Sequence, residues 1–245
     1  MNVVALIPAR YNSSRFPGKL IADLLGKTVI RRTYESAINM NLFSAVYVVT
    51  DSKHIFDEIK SFGANVIMSK DNYETGTDRI AEAASSIDAD LFINIQGDEP
   101  FVSIEPLSRL IDEFNCPEVK VASLIQVLQD ESDIQNPNFV KVVLDNNNDA
   151  LYFSRAPIPY RRDNYLYQKF YEHIGVYAFR KDELVKFSNW EQSELEKTEK
   201  IEALRFLENG VKIRMLLTEY MGIEIDTPED LLNAGEYLKK LNLDK

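Results

Sequence analysis

The sequence predicts an α/β protein with a doubly wound, mostly parallel (mixed) sheet flanked by helices. Three observations support this fold class. Short apolar runs such as "VVALI" at residues 3–7 are typical of strands covered on both faces. Segments with helical periodicity separate these runs, which is the order of a parallel sheet. At 245 residues the chain is also long enough to bury a large core.

The first part of the chain alternates strands and helices in a regular order. We expect strands at residues 3–7, 45–50, 65–68 and 90–95. The helices predicted between them lie at residues 27–40, 52–62 and 77–87. Ligands of such sheets sit beyond the carboxyl ends of the strands. The loops after the first and fourth strands are therefore the first places to search for a site.

The pattern changes after about residue 119. Strands are predicted at residues 121–128, 140–145, 150–154 and 173–179, with "NNND" at 146–149 as a turn. A helix at 194–209 followed by Gly210, a strand at 211–217 and a helix at 226–241 complete the chain. We predict a single domain over 1–245, with an inserted β-rich region at about 119–180 used for self-association.

Composition narrows the class of function. A net charge of −11 argues against broad nucleic-acid binding, which needs a basic surface. The single cysteine, Cys116, excludes an intramolecular disulfide and a site built from several cysteines. No apolar stretch approaches the roughly 20 residues of a membrane span, and the start "MNVVALIPAR" lacks a signal-peptide pattern. We expect a cytoplasmic protein with no membrane insertion.

The loop after the first strand, "PARYNSSRFPGK", is basic within an acidic protein. It holds Arg10, Arg15 and Lys19, and the first 22 residues contain no carboxylate. Backbone amides in such a loop can cradle phosphate oxygens, and Ser13 and Ser14 add hydroxyl groups. Arginine supplies forked donors and lysine a point charge. The loop therefore suggests an anion site; the alternative is a solvated basic loop.

Two acids far apart in the sequence are candidate Mg²⁺ ligands. Asp98 follows the fourth strand in "QGDEP", and Mg²⁺ is commonly held by one or two carboxylates plus phosphate. In "DTPED" we expect Thr227 to cap the last helix, which leaves Asp226 free as a second ligand. This reading requires both acids to meet opposite the loop of the first strand. The alternatives are an ordinary acidic turn and a spare acid before a helix.

Other segments carry weaker signals. Thr75, Gly76 and Arg79 lie at a predicted helix N-terminus, where anions or carbonyl oxygens can bind, although simple helix initiation explains them equally well. His173 and Tyr177 share one face of a predicted strand. A histidine satisfied within the core is the alternative for that position.

Together these stretches resemble the 3-deoxy-manno-octulosonate (Kdo) cytidylyltransferases. The resemblance runs from "IPARYNSSRFPGKL" through "TGTDRIAE", "INIQGDEP", "ALYFSRAPIP" and "HIGVYAFRKDEL" to "DTPEDL". It implies a fold of the nucleotide-diphospho-sugar transferase type, a homodimer and a cytoplasmic enzyme. That enzyme would use Mg²⁺ and join CMP from CTP to the C2 hydroxyl of Kdo, for lipopolysaccharide biosynthesis.

The resemblance also implies roles for individual residues. It assigns catalysis to Arg10, Lys19, Asp98 and Asp226, of which Asp98 and Asp226 would hold the metal. Arg10, Arg15 and Lys19 would bind the triphosphate. The cytidine side would be lined by Thr75, Gly76, Arg79 and Gln96. The sugar acid would be contacted by residues of the inserted region and the late helix, namely Arg155, His173, Tyr177 and Glu202.

One departure from the family pattern concerns the acceptor. The family usually reads Glu-Gln-Leu-Arg in the late helix, whereas this chain has Ala203 in place of the glutamine. A pocket that has lost a hydrogen-bonding group discriminates differently among acceptors. An amino variant such as 8-amino-Kdo is therefore one hypothesis, with Glu199 or Glu202 favouring its cation. A cytidylyltransferase for sialic-type acids and a non-catalytic CTP-binding sensor are the rival functions.

Overall fold

The structure is a computed structural model that describes residues 1–13, 15–70, 73, 75–162, 169–219 and 222–243. The strands are β1 (Val3–Ala9), β2 (Ala45–Thr50), β3 (Val66–Met68), β4 (Leu91–Asn94), β5 (Val121–Leu128), β6 (Lys141–Leu144), β7 (Ala150–Ser154), β8 (Phe170–Arg180) and β9 (Ile213–Leu217). The helices are α1 (Val29–Asn39), α2 (Lys53–Ser61), α3 (Gly76–Ser86), α4 (Ile104–Asp112), α5 (Glu131–Gln135), α6 (Lys181–Phe187), α7 (Glu194–Glu199), α8 (Ala203–Glu208) and α9 (Pro228–Leu243).

The chain divides into two compact units. The first comprises Met1–Ile104 with Met221–Lys245, and the second comprises Glu105–Tyr220. The single domain over 1–245 with an inserted region at about 119–180 stays a prediction. Within the described residues, every helix is too short or too polar to cross a membrane.

The first unit is built on parallel strands in the order β3-β2-β1-β4. Every residue of β1 is buried, as its continuous apolar run predicts for a strand covered on both faces. Helices α1 and α3 pack against β1 and β2. Because β1 and β4 are parallel neighbours, with Leu6 opposite Asn94, the loops that follow them leave from the same edge.

The ends of the helices in this unit follow from their capping residues. The side chains of Thr28, Ser52 and Thr75 each accept a hydrogen bond from a backbone amide of the first turn. At the start of α9, Thr227 and Asp230 exchange the two hydrogen bonds of a capping box. The predicted cap at Thr227 is therefore confirmed, and Asp226 is not needed for it.

The second unit is mixed in strand direction. β5 runs antiparallel to β8 and parallel to β9, while β6 pairs antiparallel with both β7 and β8. The predicted turn at 146–149 joins β6 and β7, with Asn148 at φ 61°. Its core contains a cluster of stacked and edge-on rings from Phe179, Phe187, Trp190 and Phe206.

The late helix departs from prediction. The sequence predicts one helix over 194–209, but α7 ends where Lys200 adopts φ 56°, and α8 begins at Ala203. The left-handed residue redirects the chain, so the two segments cannot form one continuous helix. The predicted stop at Gly210 is confirmed: Gly210 has φ 75°, and Val211 N–H donates to the carbonyl of Phe206, as in a Schellman motif.

Candidate active site

The basic loop after β1 is closed by a backbone hydrogen bond. The amide of Gly18 donates to the carbonyl of Tyr11 at 3.0 Å, and Gly18 has φ 72°, a conformation that favours glycine. The next residue, Lys19, begins a short 3₁₀ turn in which Leu20 is buried. The turn anchors Lys19 at the edge of the sheet, while Arg10 and Arg15 remain exposed. Ser14 lies outside the described residues.

Gly97 allows the loop after β4 to pack against the end of β1. A Cβ at this position would lie 3.1 Å from the carbonyl oxygen of Pro8, tighter than ordinary contacts. The hydroxyl of Thr33 donates to the Gly97 carbonyl at 2.8 Å and fixes the loop from the side of α1. This close packing determines where the next residue, Asp98, presents its carboxylate.

The segment before α9 lies beside this loop. The amide of Ile225 donates to the carbonyl of Asp98 at 3.0 Å, and the Ile225 side chain is fully buried. Gly222 has φ 113°, and a Cβ there would lie only 2.7 Å from the carbonyl oxygen of Phe101. These contacts hold residues 222–226 against the loop that carries Asp98.

The predicted meeting of the two distant acids occurs in the structure. Lys19 forms ion pairs with both Asp98 and Asp226, with 2.7 Å from its Nζ to Oδ1 of Asp226. The guanidinium of Arg15 contacts the other oxygen of Asp226 at 2.6 Å. Burial lowers the pKa of Lys19, but the two carboxylates outweigh it, so the pKa is raised and the ammonium stays charged.

Two further acids, Glu224 and Glu99, lie beside Asp98 and Asp226. Carboxylate oxygens of Asp98, Glu224 and Asp226 all lie within 4.8 Å of one another. The fourth acid, Glu99, is buried, and its Oε2 has no hydrogen-bond partner among the described residues. We call Asp98, Glu99, Glu224 and Asp226 the acidic cluster.

Two acids of the acidic cluster, Glu99 and Glu224, have raised pKa values. Burial and then the charges of Glu224 and Asp98 raise the pKa of Glu99 well above its usual range. Desolvation and the charges of Asp98 and Asp226 raise the pKa of Glu224 to about 8. Glu224 is exposed as a residue, but its carboxylate lies beside those of Asp98 and Asp226, whose negative charges favour its protonated form. Hard oxygen ligands with surplus negative charge are the chemistry that suits Mg²⁺.

Arg79 is buried beside the end of β1. Its Nη2 pairs with Asp51 at 2.5 Å, and its Nε is buried without a hydrogen-bond partner among the described residues. Burial lowers the pKa of Arg79, Asp51 opposes this effect, and the nearby charge of Arg10 adds to it. Arg10 and Arg79 thus lie close together, as their predicted placement around one ligand requires, and Asp51 holds Arg79 in place.

The other residues predicted for the cytidine side lie near the same edge. Thr75 caps α3, and its Oγ1 accepts from the amide of Asp78 at 3.1 Å. Gly76 approaches Pro8 closely enough that a Cβ would meet its ring at 3.5 Å. Gln96 is half-buried two residues after β4. Helix initiation accounts for Thr75, so its role towards a ligand stays a prediction.

Three of the residues predicted for the sugar acid come together within the second unit. The rings of His173 and Tyr177 have centroids 5.2 Å apart. Burial and then the charge of Glu202 raise the pKa of Tyr177 well above its usual range. Burial lowers the pKa of His173 to about 3, and its Nε2 has no hydrogen-bond partner among the described residues.

The fourth, Arg155, is held by backbone carbonyls. Its guanidinium donates to the carbonyls of Glu199 and Pro137, each at 2.8 Å, and to that of Lys200 at 3.3 Å. The carboxylate of Glu199 accepts from the Ser154 hydroxyl and the Arg155 amide. Glu199 is thus engaged within the fold, which leaves Glu202 as the acid of the predicted pair beside the aromatic residues.

Sequence reasoning missed two charged residues, Glu224 and Asp51. Glu224 stands two residues before Asp226 in "EID". Its proximity to a predicted ligand was an available signal. Asp51 follows β2 and pairs with Arg79 of α3. The local sequence does not reveal that the fold brings these two residues together.

Sequence comparison relates this chain to cytidylyltransferases. Residues 4–213 match the family model described as cytidylyltransferase. A 3-deoxy-manno-octulosonate cytidylyltransferase of Christiangramia forsetii is 53% identical over 96% of each chain. A second, from Flavobacterium johnsoniae, is 50% identical over 98% of this chain and 100% of its own.

Solved structures show the same relationship. A structure of CMP:2-keto-3-deoxy-manno-octonic acid synthetase complexed with CTP superposes with a TM-score of 0.92 at 36% identity, over 98% of this chain and 99% of its own. The 4-diphosphocytidyl-2C-methyl-D-erythritol synthase of Anaerococcus prevotii reaches a TM-score of 0.63 at 18% identity, over 97% and 98% of the two chains. The second similarity concerns the fold alone. Together with the parallel strands of the first unit, these matches confirm the predicted α/β fold.

Proposed function

Because the chain belongs to the 3-deoxy-manno-octulosonate cytidylyltransferases, we propose that it transfers CMP from CTP to the C2 hydroxyl of Kdo and releases pyrophosphate. The observation that carries the proposal is the meeting of Lys19 with Asp98 and Asp226, which brings three segments of the chain to one edge of the sheet. An in-line displacement at phosphorus is catalysed mainly by positioning and by stabilising charge. The site offers both.

The basic residues act on the triphosphate. The Lys19 ammonium has three N–H donors, of which Asp98 and Asp226 accept two among the described residues. The third is available for a phosphate oxygen. Arg15 keeps most of its donors while it holds Asp226, and Arg10 is exposed at the end of β1. These cations offset the negative charge that grows on the departing pyrophosphate.

Asp98 and Asp226 would hold Mg²⁺, for which their oxygens are suitable ligands. A bound divalent cation would neutralise phosphate charge and lower the pKa of a coordinated hydroxyl. The protein's part is to present the two aspartates side by side. The Ile225–Asp98 backbone hydrogen bond and the ion pairs with Lys19 do this.

We assign the sugar acid to residues of the second unit. His173, Tyr177 and Glu202 offer an aromatic wall with polar groups, a common surface for a sugar ring. Arg155 would contribute positive charge towards the sugar's carboxylate, although three carbonyls already accept from its guanidinium. A homodimer and a cytoplasmic location belong to the same proposal and rest on the family and on composition.

Pyrophosphate release tests the function. Purified protein with CTP, Mg²⁺ and Kdo is expected to release pyrophosphate and to form a CMP-sugar detectable by mass spectrometry. Omission of Kdo or chelation of the metal is expected to stop release. Binding of CTP without turnover, with Kdo and with sialic-type acids, would instead favour a nucleotide sensor.

The identity of the acceptor is a finer question. Ala203 is buried at the start of α8, next to Glu202, where family members usually carry glutamine. We propose that an acceptor with an amino group at C8 is used at least as well as Kdo, because Glu202 would attract its cation. Comparing kcat/KM for the two acceptors tests this, and a clear preference for Kdo would remove the amino variant.

A further inference from the structure

We propose that Glu224 is a third carboxylate ligand of the divalent cation, so that this chain binds the cation through Asp98, Glu224 and Asp226. The inference rests on the proposed function, because it concerns the metal of the same site. It goes beyond that function in adding a ligand and in predicting that the cation binds before any nucleotide is present.

The geometry of the three acids suits one cation. Ligand oxygens that share a cation lie at most twice the metal–oxygen distance apart, about 4.2 Å for Mg²⁺ and about 5 Å for Ca²⁺. The oxygens of Asp98, Glu224 and Asp226 lie within 4.8 Å of one another. Small side-chain adjustments therefore bring all three onto one ion.

The backbone holds Glu224 in this position. Ile225, between Glu224 and Asp226, is fully buried, and its amide donates to the Asp98 carbonyl. Gly222 packs so closely on the Phe101 carbonyl that a side chain there would force the segment to move. The carboxylates on either side of Ile225 are therefore fixed beside Asp98, so their proximity does not depend on a freely moving loop.

Glu99 gives an independent indication that the acidic cluster binds a cation. Only 9% of this residue is exposed, and its Oε2 has no hydrogen-bond partner among the described residues. The charges that act on it are those of Glu224 and Asp98, so this carboxyl group is turned towards the proposed ligands. A buried acid turned towards other acids is rarely left unsatisfied unless a ligand completes the site.

Charge balance agrees with a divalent ion. Among the described residues, Lys19 and Arg15 are the cations paired with the acidic cluster. When the three proposed ligands are ionised, their three negative charges exceed the two positive charges of Lys19 and Arg15, and a divalent cation offsets the surplus. The carboxylates of Glu224 and Asp226 lie side by side and repel each other when both are ionised, and a shared cation relieves this repulsion.

Mn²⁺ binding to the full-length protein, without nucleotide or sugar, tests the inference. Electron paramagnetic resonance counts free Mn²⁺ in a titration and gives a Kd. We expect Glu224→Gln to raise the Kd by on the order of tenfold or more, because the charge of the ligands sets affinity for hard cations. Glu224→Asp, which keeps the charge, is expected to recover part of the loss.

Glu236→Gln is the matched control, because Glu236 is an exposed glutamate of α9 and its loss removes the same charge. It is expected to leave the Kd unchanged. Circular dichroism checks that each variant is folded. Equal Mn²⁺ affinity of Glu224→Gln and the unmodified protein would overturn the inference, as would a lack of Mn²⁺ binding without nucleotide. Pyrophosphate release by the unmodified protein tests the proposed function separately.

Discussion

Each unit contains a group of interacting charged residues, and the two groups differ in how well their charges are balanced. In the second unit, Arg205 and Glu196 are both buried and form a bidentate pair with N–O distances of 2.7 and 2.6 Å. The guanidinium also stacks 3.9 Å over the ring of Phe187. In the first unit, the acidic cluster brings together four carboxyl groups with only Lys19 and Arg15 paired to it among the described residues.

The difference separates a structural ion pair from a site that needs a ligand. Both carboxylate oxygens of Glu196 are matched by donors of Arg205, so nothing is left to recruit from solution. The acidic cluster contains a buried oxygen on Glu99 without a partner among the described residues, and burial together with neighbouring negative charges raises the pKa of Glu99 and of Glu224. Burial alone does not distinguish the two groups; the balance of charge does.

The largest expected effect comes from the acidic cluster. We expect Asp98→Asn, which keeps the shape of the side chain, to lower kcat/KM for CTP by about a thousandfold or more. The asparagine removes one charge from the proposed metal site and one partner of Lys19. Pyrophosphate release by purified protein measures the loss.

Stability should respond differently to the same substitution. Removing one of several crowded acids relieves repulsion, so the urea midpoint of Asp98→Asn is expected to stay close to that of the unmodified protein. Near-normal turnover would contradict the metal assignment. Unfolding at much lower urea would show that Asp98 belongs with the structural ion pair.

The next effect is on folding and concerns the buried pair. Glu196→Gln leaves the guanidinium of Arg205 buried with a neutral partner, and such a change costs about 3–5 kcal/mol. Urea unfolding followed by circular dichroism measures it. Glu194→Gln is the control, because Glu194 lies in the same turn of α7 with its side chain 90% exposed, and exposed pairs contribute about 0–1 kcal/mol.

A double variant sharpens this test. Glu196→Gln combined with Arg205→Met removes the buried charge altogether, so it should be more stable than Glu196→Gln alone. If the double variant is instead the less stable of the two, the packing of Arg205 on Phe187 matters more than its charge.

The sequence allowed good predictions where local chemistry decides the outcome. The apolar run at residues 3–7 predicted a fully buried strand, and the Thr227 cap freed Asp226 for another role. The basic loop and Asp98 were predictable as neighbours because parallel strands end at one edge of a sheet. That inference needed only the order of the strands.

The remainder depended on tertiary packing. No local preference makes Lys200 left-handed, so the break between α7 and α8 could not be foreseen. From the sequence, Arg155 was expected to contact the sugar acid. In the structure its guanidinium donates to backbone carbonyls of segments that are distant in sequence, which local patterns do not reveal. The sequence also does not distinguish the structural role of Arg205 from the site role of Lys19. Each is a cation near acids, and only the fold shows which acids are fully paired with cations.

His173 is the smallest and last test of the comparison, because its Nε2 is buried and no charged group among the described residues shifts its pKa. Burial lowers its pKa to about 3, whereas the unfolded chain titrates near the ordinary value of 6.5. As the pH falls below 6.5, the unfolded state takes up a proton that the folded state does not. The free energy of unfolding therefore falls by about 1.4 kcal/mol per pH unit from this group.

His173→Phe keeps a ring against Phe153 and Tyr177 and removes the titrating imidazole. Urea unfolding at pH 6.5 and 4.5 should give a shallower loss of stability for this variant. An identical pH slope in both proteins would mean that His173 takes up its proton as readily in the folded protein as in the unfolded chain, which would contradict the effect of burial.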